Sequence, residues 1–410
     1  MMDLYTLNAW ICEIFTTILI SCFAIFDVIP GGRYIYLTIS IILLILKTKG
    51  KLEIKFESYY FFNILMIIFV FLSSLWALYP SLSIIMAKRM LEMFICFSCV
   101  YIAYSVDEDT VSLMRCFKWS GYIITFYQFQ HYGFNRLYQM LMNSERMTNE
   151  IGNINMFGAM IAFSCLFDFI EIGRKKKLTI SCPLVIPSIL IISATQSRKS
   201  ILIIIIGIVL VFLFYYVDFN NLLNTFISFL ILLLICYVGF YLLLNSPLFS
   251  GLNNRMTMMI NMFLGEGEVG LSAKARSDMI RFGWHYFLEN PLGGIGIGNA
   301  TAIYGSYLHN NYIELLCCGG IIGFVIYYSR YLFLLCSIIR NINICNNKKE
   351  SIYPCFILLS ILLILDYGRV TYYTKPSQIY FVLLFLQIKS IRFTRERIKS
   401  SGDSCLKYIY

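Results

Sequence analysis

Residues 59–78 read YYFFNILMIIFVFLSSLWAL, twenty residues without a charged side chain. A helix needs roughly 20 apolar residues to cross the hydrocarbon core of a bilayer, and this segment has that length. Similar apolar blocks recur along the chain between short charged segments, without the polar–apolar alternation of barrel strands. Because only helices and closed barrels satisfy the backbone inside a membrane, the sequence predicts an all-α, polytopic membrane protein.

The composition excludes an ordinary soluble enzyme. Of 410 residues, 59% are hydrophobic and 14% are charged, whereas soluble domains are about 25% charged. The formal net charge of +10 lies mainly in short loops, which is typical of membrane topology. We therefore expect no nucleic acid among its partners.

Twelve apolar blocks are predicted to be transmembrane helices. They are Trp10–Val28, Tyr34–Leu46, Tyr59–Leu78, Leu82–Tyr104, Val111–Gln130, Asn155–Ile172, Leu178–Ile192, Ile201–Tyr216, Leu222–Leu244, Asn311–Ser337, Ile352–Leu365 and Ser377–Ile388. The predicted division of the chain is 1–244 for nine helices, 245–310 for a large loop with short helices, 311–390 for three helices and 391–410 for a basic tail. Within the loop, 272–288 is predicted to be a helix that ends before Asn290-Pro291.

Lysine and arginine are more numerous in one set of alternate loops than in the other. The positive-inside rule assigns the richer set to the cytoplasm. Both termini and the basic tail are then cytoplasmic, and the large loop 245–310 is external.

Positive charge on the external side is unexpected under this rule and needs a physical reason. Arg198 and Lys199 lie in a short turn between two apolar spans, and Arg276 and Arg281 lie on the loop helix. A guanidinium presents a planar fork of donors that matches phosphate oxygens, so these residues suit a lipid-linked pyrophosphate. The alternative is that each side chain snorkels towards, or pairs with, lipid headgroups.

Arg276 and Arg281 cannot both face one site directly, because five residues correspond to about 140° around a helix. Arg281 instead shares a helix face with Ser277 and His285, at spacings of four residues. We expect one of the two arginines to be structural.

His309 opens the run HNNYIE, residues 309–314, where the large loop re-enters the membrane. Imidazole titrates near neutrality and is the usual general base, although a single loop histidine is often only a hydrogen-bonding residue. Asn310 is a second polar candidate, and Glu314 follows in the first helical turn, where a carboxylate also suits the helix dipole. We predict catalysis or substrate contact for this run.

Lys88, Arg89 and Glu92 fall in the outer third of the fourth predicted span. Charges inside a membrane usually face a cavity and indicate a functional path, so Lys88 and Arg89 are candidates for substrate binding. The alternative is a structural ion pair with Glu92 at helical spacing. No metal-ligand cluster is apparent in the external loops, and no metal or cofactor is expected.

The chain resembles the O-antigen ligase/polymerase superfamily of bacterial membrane glycosyltransferases. The resembling segments, in order and on one predicted membrane face, are SLWALYP (74–80), TQSRKS (195–200), Ala275-Arg276 through Asn290-Pro291-Leu292-Gly293, and HNNYIE (309–314) followed by Gly320 and Gly323. Each motif is short, and together they span about residues 70–335.

The resemblance implies a GT-C-like membrane fold in the bacterial inner membrane, with the active site facing the periplasm. It implies glycan transfer from an undecaprenyl-pyrophosphate-linked donor without metal, with membrane lipid and a chain-length regulator as further partners. It also implies that Arg198 and Arg276 hold the donor pyrophosphate and that His309 lies at the reaction centre. Lys199, Arg281, Asn310, Glu314, Arg89 and Lys88 are then expected to contact the substrate.

Three functions remain open at this point. A polymerase would join lipid-linked repeat units into O-antigen or capsular polysaccharide, and we favour it because TQSRKS and HNNY resemble that branch more. A ligase would move the finished glycan onto lipid A-core. A flippase for the same lipid-linked sugars would instead predict paired discontinuous helices and an internal repeat, and no repeat is found in the sequence.

Overall fold

A computed structural model describes residues 4–25, 31–50, 55–107, 109–148, 153–218, 221–264, 271–342 and 349–400. The described chain is helical and contains no strand. Its α-helices are α1 Leu4–Ile25, α2 Gly32–Thr48, α3 Ser58–Leu72, α4 Pro80–Asp107, α5 Thr110–Tyr132, α6 Phe134–Met142, α7 Ile154–Lys175, α8 Val185–Thr195, α9 Arg198–Tyr215, α10 Leu222–Asn245, α11 Ser250–Leu264, α12 Leu271–Glu289, α13 Ala300–Tyr304, α14 Asn311–Ile342, α15 Lys349–Asp366 and α16 Lys375–Ser400.

The all-α prediction is confirmed for the described residues, and each predicted span overlaps a helix. The bounds differ in places: α8 begins at Val185 rather than Leu178, and α3 ends at Leu72 rather than Leu78. Among the described helices, six are long and apolar enough to cross a bilayer: Leu7–Ile25, Ser58–Leu75, Pro80–Asp107, Ile154–Lys175, Arg198–Tyr215 and Asn311–Ile342. The protein is therefore a membrane protein, while a total of twelve crossings stays a prediction. The GT-C-like fold also stays a prediction.

The segment 245–310 contains α11, α12 and α13, and α12 confirms the helix predicted over 272–288. The last predicted region, 391–410, begins as a continuation of α16 up to Ser400, and 401–410 lies outside the described residues. The predicted domain boundaries follow chain order, whereas spatial contacts divide the chain differently.

The chain forms two compact units. Unit 1 comprises the described parts of Met1–Cys12, Ser40–Leu113 and Arg276–Tyr410, and unit 2 those of Glu13–Ile39 and Met114–Ala275. In unit 1, α3 packs on α4 and α14 packs on α15 and α16. In unit 2, α7 packs closely on α9. Gly158 of α7 permits this packing, because a Cβ at its position would lie 2.7 Å from the hydroxyl oxygen of Ser200 on α9.

Helix α14 is interrupted at Gly320, whose φ of 59° and ψ of −164° are non-helical. This backbone region is essentially restricted to glycine. The break removes the helical bonds between residues 317–318 and 321–322, and a glycine-rich segment, residues 290–298, replaces them. The replacing backbone bonds run from Ile295 N to Cys317 O (3.0 Å), Gly296 N to Cys318 O (2.9 Å), Ile321 N to Pro291 O (2.8 Å) and Ile322 N to Leu292 O (3.2 Å).

The same glycine-rich segment also contacts the turn between α3 and α4. Trp76 Nε1 donates to Gly293 O at 3.0 Å, Leu78 N donates to Ile295 O at 3.3 Å, and Ser83 Oγ donates to Ile297 O at 2.8 Å. Two sequence motifs about 215 residues apart, 74–80 and 290–293, are thus joined directly. Non-helical backbone at membrane depth is tolerated where protein satisfies it, as it does here.

Replacing Gly320 with alanine is expected to destabilise unit 1 strongly. The backbone conformation alone costs a non-glycine residue about 1–3 kcal/mol, and the added Cβ would lie 2.2 Å from Leu292 O. Gly305→Ala is the matched control, because Gly305 has a φ of 87° but nothing within 4 Å of the added Cβ. Thermal unfolding of the purified protein in detergent checks this, and equal melting temperatures for the two variants would contradict it.

Candidate functional site

The backbone at His309 is fixed from both sides by its neighbours. Asn310 Oδ1 accepts hydrogen bonds from the backbone N–H of Tyr312 (3.0 Å) and Ile313 (3.2 Å), which makes Asn310 the N-cap of α14. Glu314 Oε2 accepts a bond from Leu308 N at 2.6 Å. His309 between them has a φ of 55°, a conformation that is uncommon outside glycine and that these two side chains stabilise.

Asn310 and Glu314 therefore stabilise the backbone conformation around His309. Asn310 is 5% exposed and Glu314 is 1% exposed, whereas the side chain of His309 is half-exposed. Substrate contact stays a prediction for all three residues. The side chain of His309 is accessible, and Asn310 and Glu314 bond to the backbone on either side of it.

Helix α12 carries Arg276 towards the His309 run. Gly283 of α12 lies so close to this run that an added Cβ would meet Ile313 Cγ2 at 2.3 Å and Leu308 Cδ1 at 2.8 Å. Arg276 precedes Gly283 by seven residues, which is about two helical turns, so the two residues share one helix face. The close packing at Gly283 thus directs the face of Arg276 towards the same side as residues 308–313.

Tyr307 lies next to the imidazole of His309. Its ring centroid is 4.1 Å from that of His309. Burial raises the pKa of Tyr307, and the positive charges of Arg369 and Arg276 act in the opposite direction and lower it. The charges of both guanidinium groups therefore act on the Tyr307 phenol. We name His309, Tyr307, Arg276 and Arg369 the His309 cluster.

Arg369 lies in the loop 367–374 between α15 and α16, and polar contacts fix this loop. Asn311 Oδ1 accepts bonds from Thr371 N at 2.8 Å and from Tyr372 N at 3.2 Å. Gln378 Nε2 donates to Thr371 O at 2.8 Å. Asn311 is the second residue after His309, so the loop of Arg369 is attached to the His309 run itself.

Arg89 of α4 is the further predicted residue near this site. Burial raises the pKa of Tyr373 in the loop 367–374, the carboxyl of Glu314 and the phenol of Tyr307 add to the rise, and the guanidinium of Arg89 opposes it. Arg89 and Lys88 are both exposed on α4. The positive charge of Arg89 therefore acts on Tyr373, in the loop that also contains Arg369.

Arg281 differs from Arg276, as the helix geometry predicts. Its Nη2 lies 2.6 Å from Asp278 Oδ1, and 73% of its side chain is exposed. For Arg276, the described residues provide no such acidic partner within ion-pair distance. Of the two arginines, Arg276 is therefore the one available to an anion.

In unit 2, Arg198 and Lys199 form the first turn of α9, and both are half-exposed. The small hydroxyl residues of TQSRKS build the turn before them: Ser197 N donates to Thr195 Oγ1 at 3.2 Å, and Ser200 Oγ donates to Ser197 Oγ at 2.9 Å. Cations at a helix N-terminus oppose the helix dipole. A bound anion would offset this unfavourable interaction, because it is attracted both to the cations and to the N-terminus of the helix.

Arg146, in the segment that follows α6, supports this turn, which sequence reasoning did not foresee. Its Nε donates to Thr195 O at 3.0 Å, and its Nη2 donates to Asn155 Oδ1 at 2.8 Å. Gln196, with a left-handed φ of 51°, donates through Nε2 to Ser144 O at 2.9 Å. The backbone of TQSRKS is therefore anchored within unit 2 just before Arg198.

Comparison with protein-family models matches residues 183–328 to a family described as O-antigen ligase. Residues 183–328 are therefore similar to the O-antigen ligase family. The matched region runs from the start of α8 into α14 and contains Arg198, Arg276 and His309. It confirms the resemblance to the O-antigen ligase/polymerase superfamily. No curated protein sequence matches the chain.

Sequence reasoning did not identify two members of the His309 cluster. Arg369 follows the matched region by 41 residues. Tyr307 had no signal of its own beyond standing two residues before His309. The argument applied to Arg198 could have identified Arg369, since both are cations in short turns that are predicted to be external.

Proposed function

We propose that this protein is a membrane glycosyltransferase that polymerises undecaprenyl-pyrophosphate-linked oligosaccharide repeat units into O-antigen or capsular polysaccharide. The observation that carries the proposal is the His309 cluster, in which the imidazole lies beside the Tyr307 phenol and the charges of two guanidinium groups act on that phenol. The protein is a membrane protein, and its residues 183–328 match an O-antigen ligase family. A base and fixed cations are the groups that transfer from a pyrophosphate donor requires.

The reaction uses each group in a defined way. The acceptor hydroxyl oxygen attacks the anomeric carbon of the donor, a new glycosidic C–O bond forms, and the bond to the pyrophosphate oxygen breaks. His309 takes the hydroxyl proton, and attack from the opposite face inverts the anomeric carbon. Negative charge grows on the leaving undecaprenyl pyrophosphate, so fixed guanidinium groups stabilise the transition state more than the ground state.

Arg276 is the residue to which we assign the leaving pyrophosphate in unit 1. For Arg198, and for Lys199 beside it, donor binding is the role that the family resemblance implies, and their position at the start of α9 suits an anion. Arg89 and Lys88 are proposed to attract the phosphorylated substrate to the same electrostatic surroundings. Arginine serves better than lysine where two phosphate oxygens are bound at once.

The protein is proposed to lie in the bacterial inner membrane with both termini in the cytoplasm and the His309 cluster facing the periplasm. The distribution of lysine and arginine supports this orientation. Reporter fusions within 245–310 test it, because a cytoplasmic signal from this segment would remove the site from a periplasmic substrate.

A ligase is the second candidate, since the family description itself names that reaction. It would use the same donor chemistry and differ in its acceptor, lipid A-core. The flippase alternative predicted paired discontinuous helices, whereas among the described helices the non-helical break lies in α14. A base beside two cations also has no evident purpose in a flippase.

Deletion of the gene, followed by analysis of glycan length and lipid attachment, separates these functions. A single repeat unit on the final lipid anchor is the expected result and indicates a polymerase. Finished polymer that stays on undecaprenyl pyrophosphate would indicate a ligase. Lipid-linked units that accumulate on the cytoplasmic side would indicate a flippase, and unchanged glycan would contradict all three.

A further inference from the structure

The loop 367–374 lies outside the O-antigen ligase match yet contributes a charged group to the His309 cluster. Asn311, two residues after His309, bonds the backbone of this loop at Thr371 and Tyr372. The loop is therefore attached beside the His309 ring, which Tyr307 contacts. Arg369 is half-exposed, and its charge, like that of Arg276 on α12, acts on the Tyr307 phenol.

The anchoring of this loop is more extensive than a connection between two helices requires. Asp366, which is fully buried, accepts bonds from Tyr328 Oη and Tyr331 Oη, each at 3.0 Å, and a further bond from Thr371 Oγ1. Together with the bonds of Asn311 to Thr371 N and Tyr372 N, these contacts hold the loop on both sides of its turn. A side chain meant to bind an anion in a fixed geometry needs such a rigid support.

Arg276 and Arg369 carry the same charge, and both side chains are half-exposed. An anion bound by both would be attracted to each of them. A single phosphate group has enough oxygens to accept bonds from two guanidinium forks.

We infer that Arg369 is a further substrate-binding residue, which binds phosphate oxygens of the lipid-linked substrate together with Arg276. This rests on the proposed function for the identity of the substrate. Asn311 and Asp366 are then positioning residues that hold the loop of Arg369 beside His309. The inference concerns one residue outside the region that the family model covers.

The test measures binding of inorganic pyrophosphate to the detergent-purified full chain by titration calorimetry, in wild type, R369A, R369K and R340A. Arg340 is the matched control, an exposed arginine in the last turn of α14, at the end opposite to the His309 run. We expect R369A to weaken pyrophosphate binding about 10- to 100-fold, the usual loss for a charge-assisted hydrogen bond. R369K should fall between R369A and wild type, and R340A should bind like wild type.

A loss of binding in R369A that R369K partly restores supports the inference, because a purely structural role would not depend on the charge. The melting temperature of each variant shows whether it is folded. Pyrophosphate binding by R369A equal to that of R340A, or absent from wild type, overturns the inference. Elongation of a lipid-linked repeat unit in proteoliposomes is measured separately: if wild type binds pyrophosphate through Arg369 but transfers no glycan, the anion site stands and the proposed function fails.

Discussion

Replacing His309 with alanine is expected to reduce glycan transfer about 10²- to 10⁴-fold, the contribution typical of a general base. The reduction should leave the fold intact, because the supports of this backbone are the side chains of Asn310 and Glu314 rather than the imidazole. Turnover of a lipid-linked repeat unit in proteoliposomes measures the effect. His309→Gln separates the two possible roles, since an amide can position a substrate but cannot accept its proton.

The matched control for this variant is His285→Ala. His285 also lies in unit 1, on α12, but 65% of its side chain is exposed and its Nε2 is 3.4 Å from Glu289 Oε1. Near-normal transfer is expected after this change. If His309 is the base, wild-type transfer falls on acidification because a protonated imidazole cannot accept a proton, and this acidic fall disappears in His309→Ala. Full activity in His309→Ala would end the catalytic assignment.

The fold class was predictable because hydrophobic blocks of membrane length leave few alternatives. The path of residues 290–298 was not predictable. Gly294 and Gly296 looked like a loop, yet their lack of a side chain allows the backbone to approach Cys318 and Ala77, where a Cβ would lie 2.4 Å and 2.3 Å away. Glycines in a sequence show that the backbone can approach another segment closely, but they do not show which segment it approaches.

Parts of the candidate site were predictable because positive charges on the predicted external side are unusual under the positive-inside rule. That argument singled out Arg276, and helix periodicity separated it from Arg281, because the two residues cannot share a direction. The substrate role of Glu314 stays a prediction; its carboxylate accepts a bond from Leu308 N. The same argument passed over Arg369, because the proximity of that residue to Tyr307 depends on the bonds of Asn311 to the loop 367–374, which no local pattern encodes.

Arg276→Ala is expected to lower transfer about 10²- to 10³-fold, the loss typical when one fixed donor to a developing oxyanion is removed. The physical reason is that Arg276 faces the His309 run through the close packing of Gly283 and has no acidic partner within ion-pair distance among the described residues, so its charge is available to the leaving pyrophosphate. Arg276→Lys should recover only part of this loss. A lysine keeps the charge but not the planar fork that binds two oxygens.

The control for this change comes from the same helix. Lys274 precedes Arg276 by two residues, about 200° around the helix, and its side chain is exposed. If the effect of Arg276→Ala arose from the net charge of α12, Lys274→Ala would reduce transfer to a similar degree; if it arose from direct binding of phosphate, only Arg276→Ala would. Equal rates for these two variants in the same proteoliposome assay would therefore exclude Arg276 as the pyrophosphate ligand, and transfer would then have to rely on cations other than Arg276.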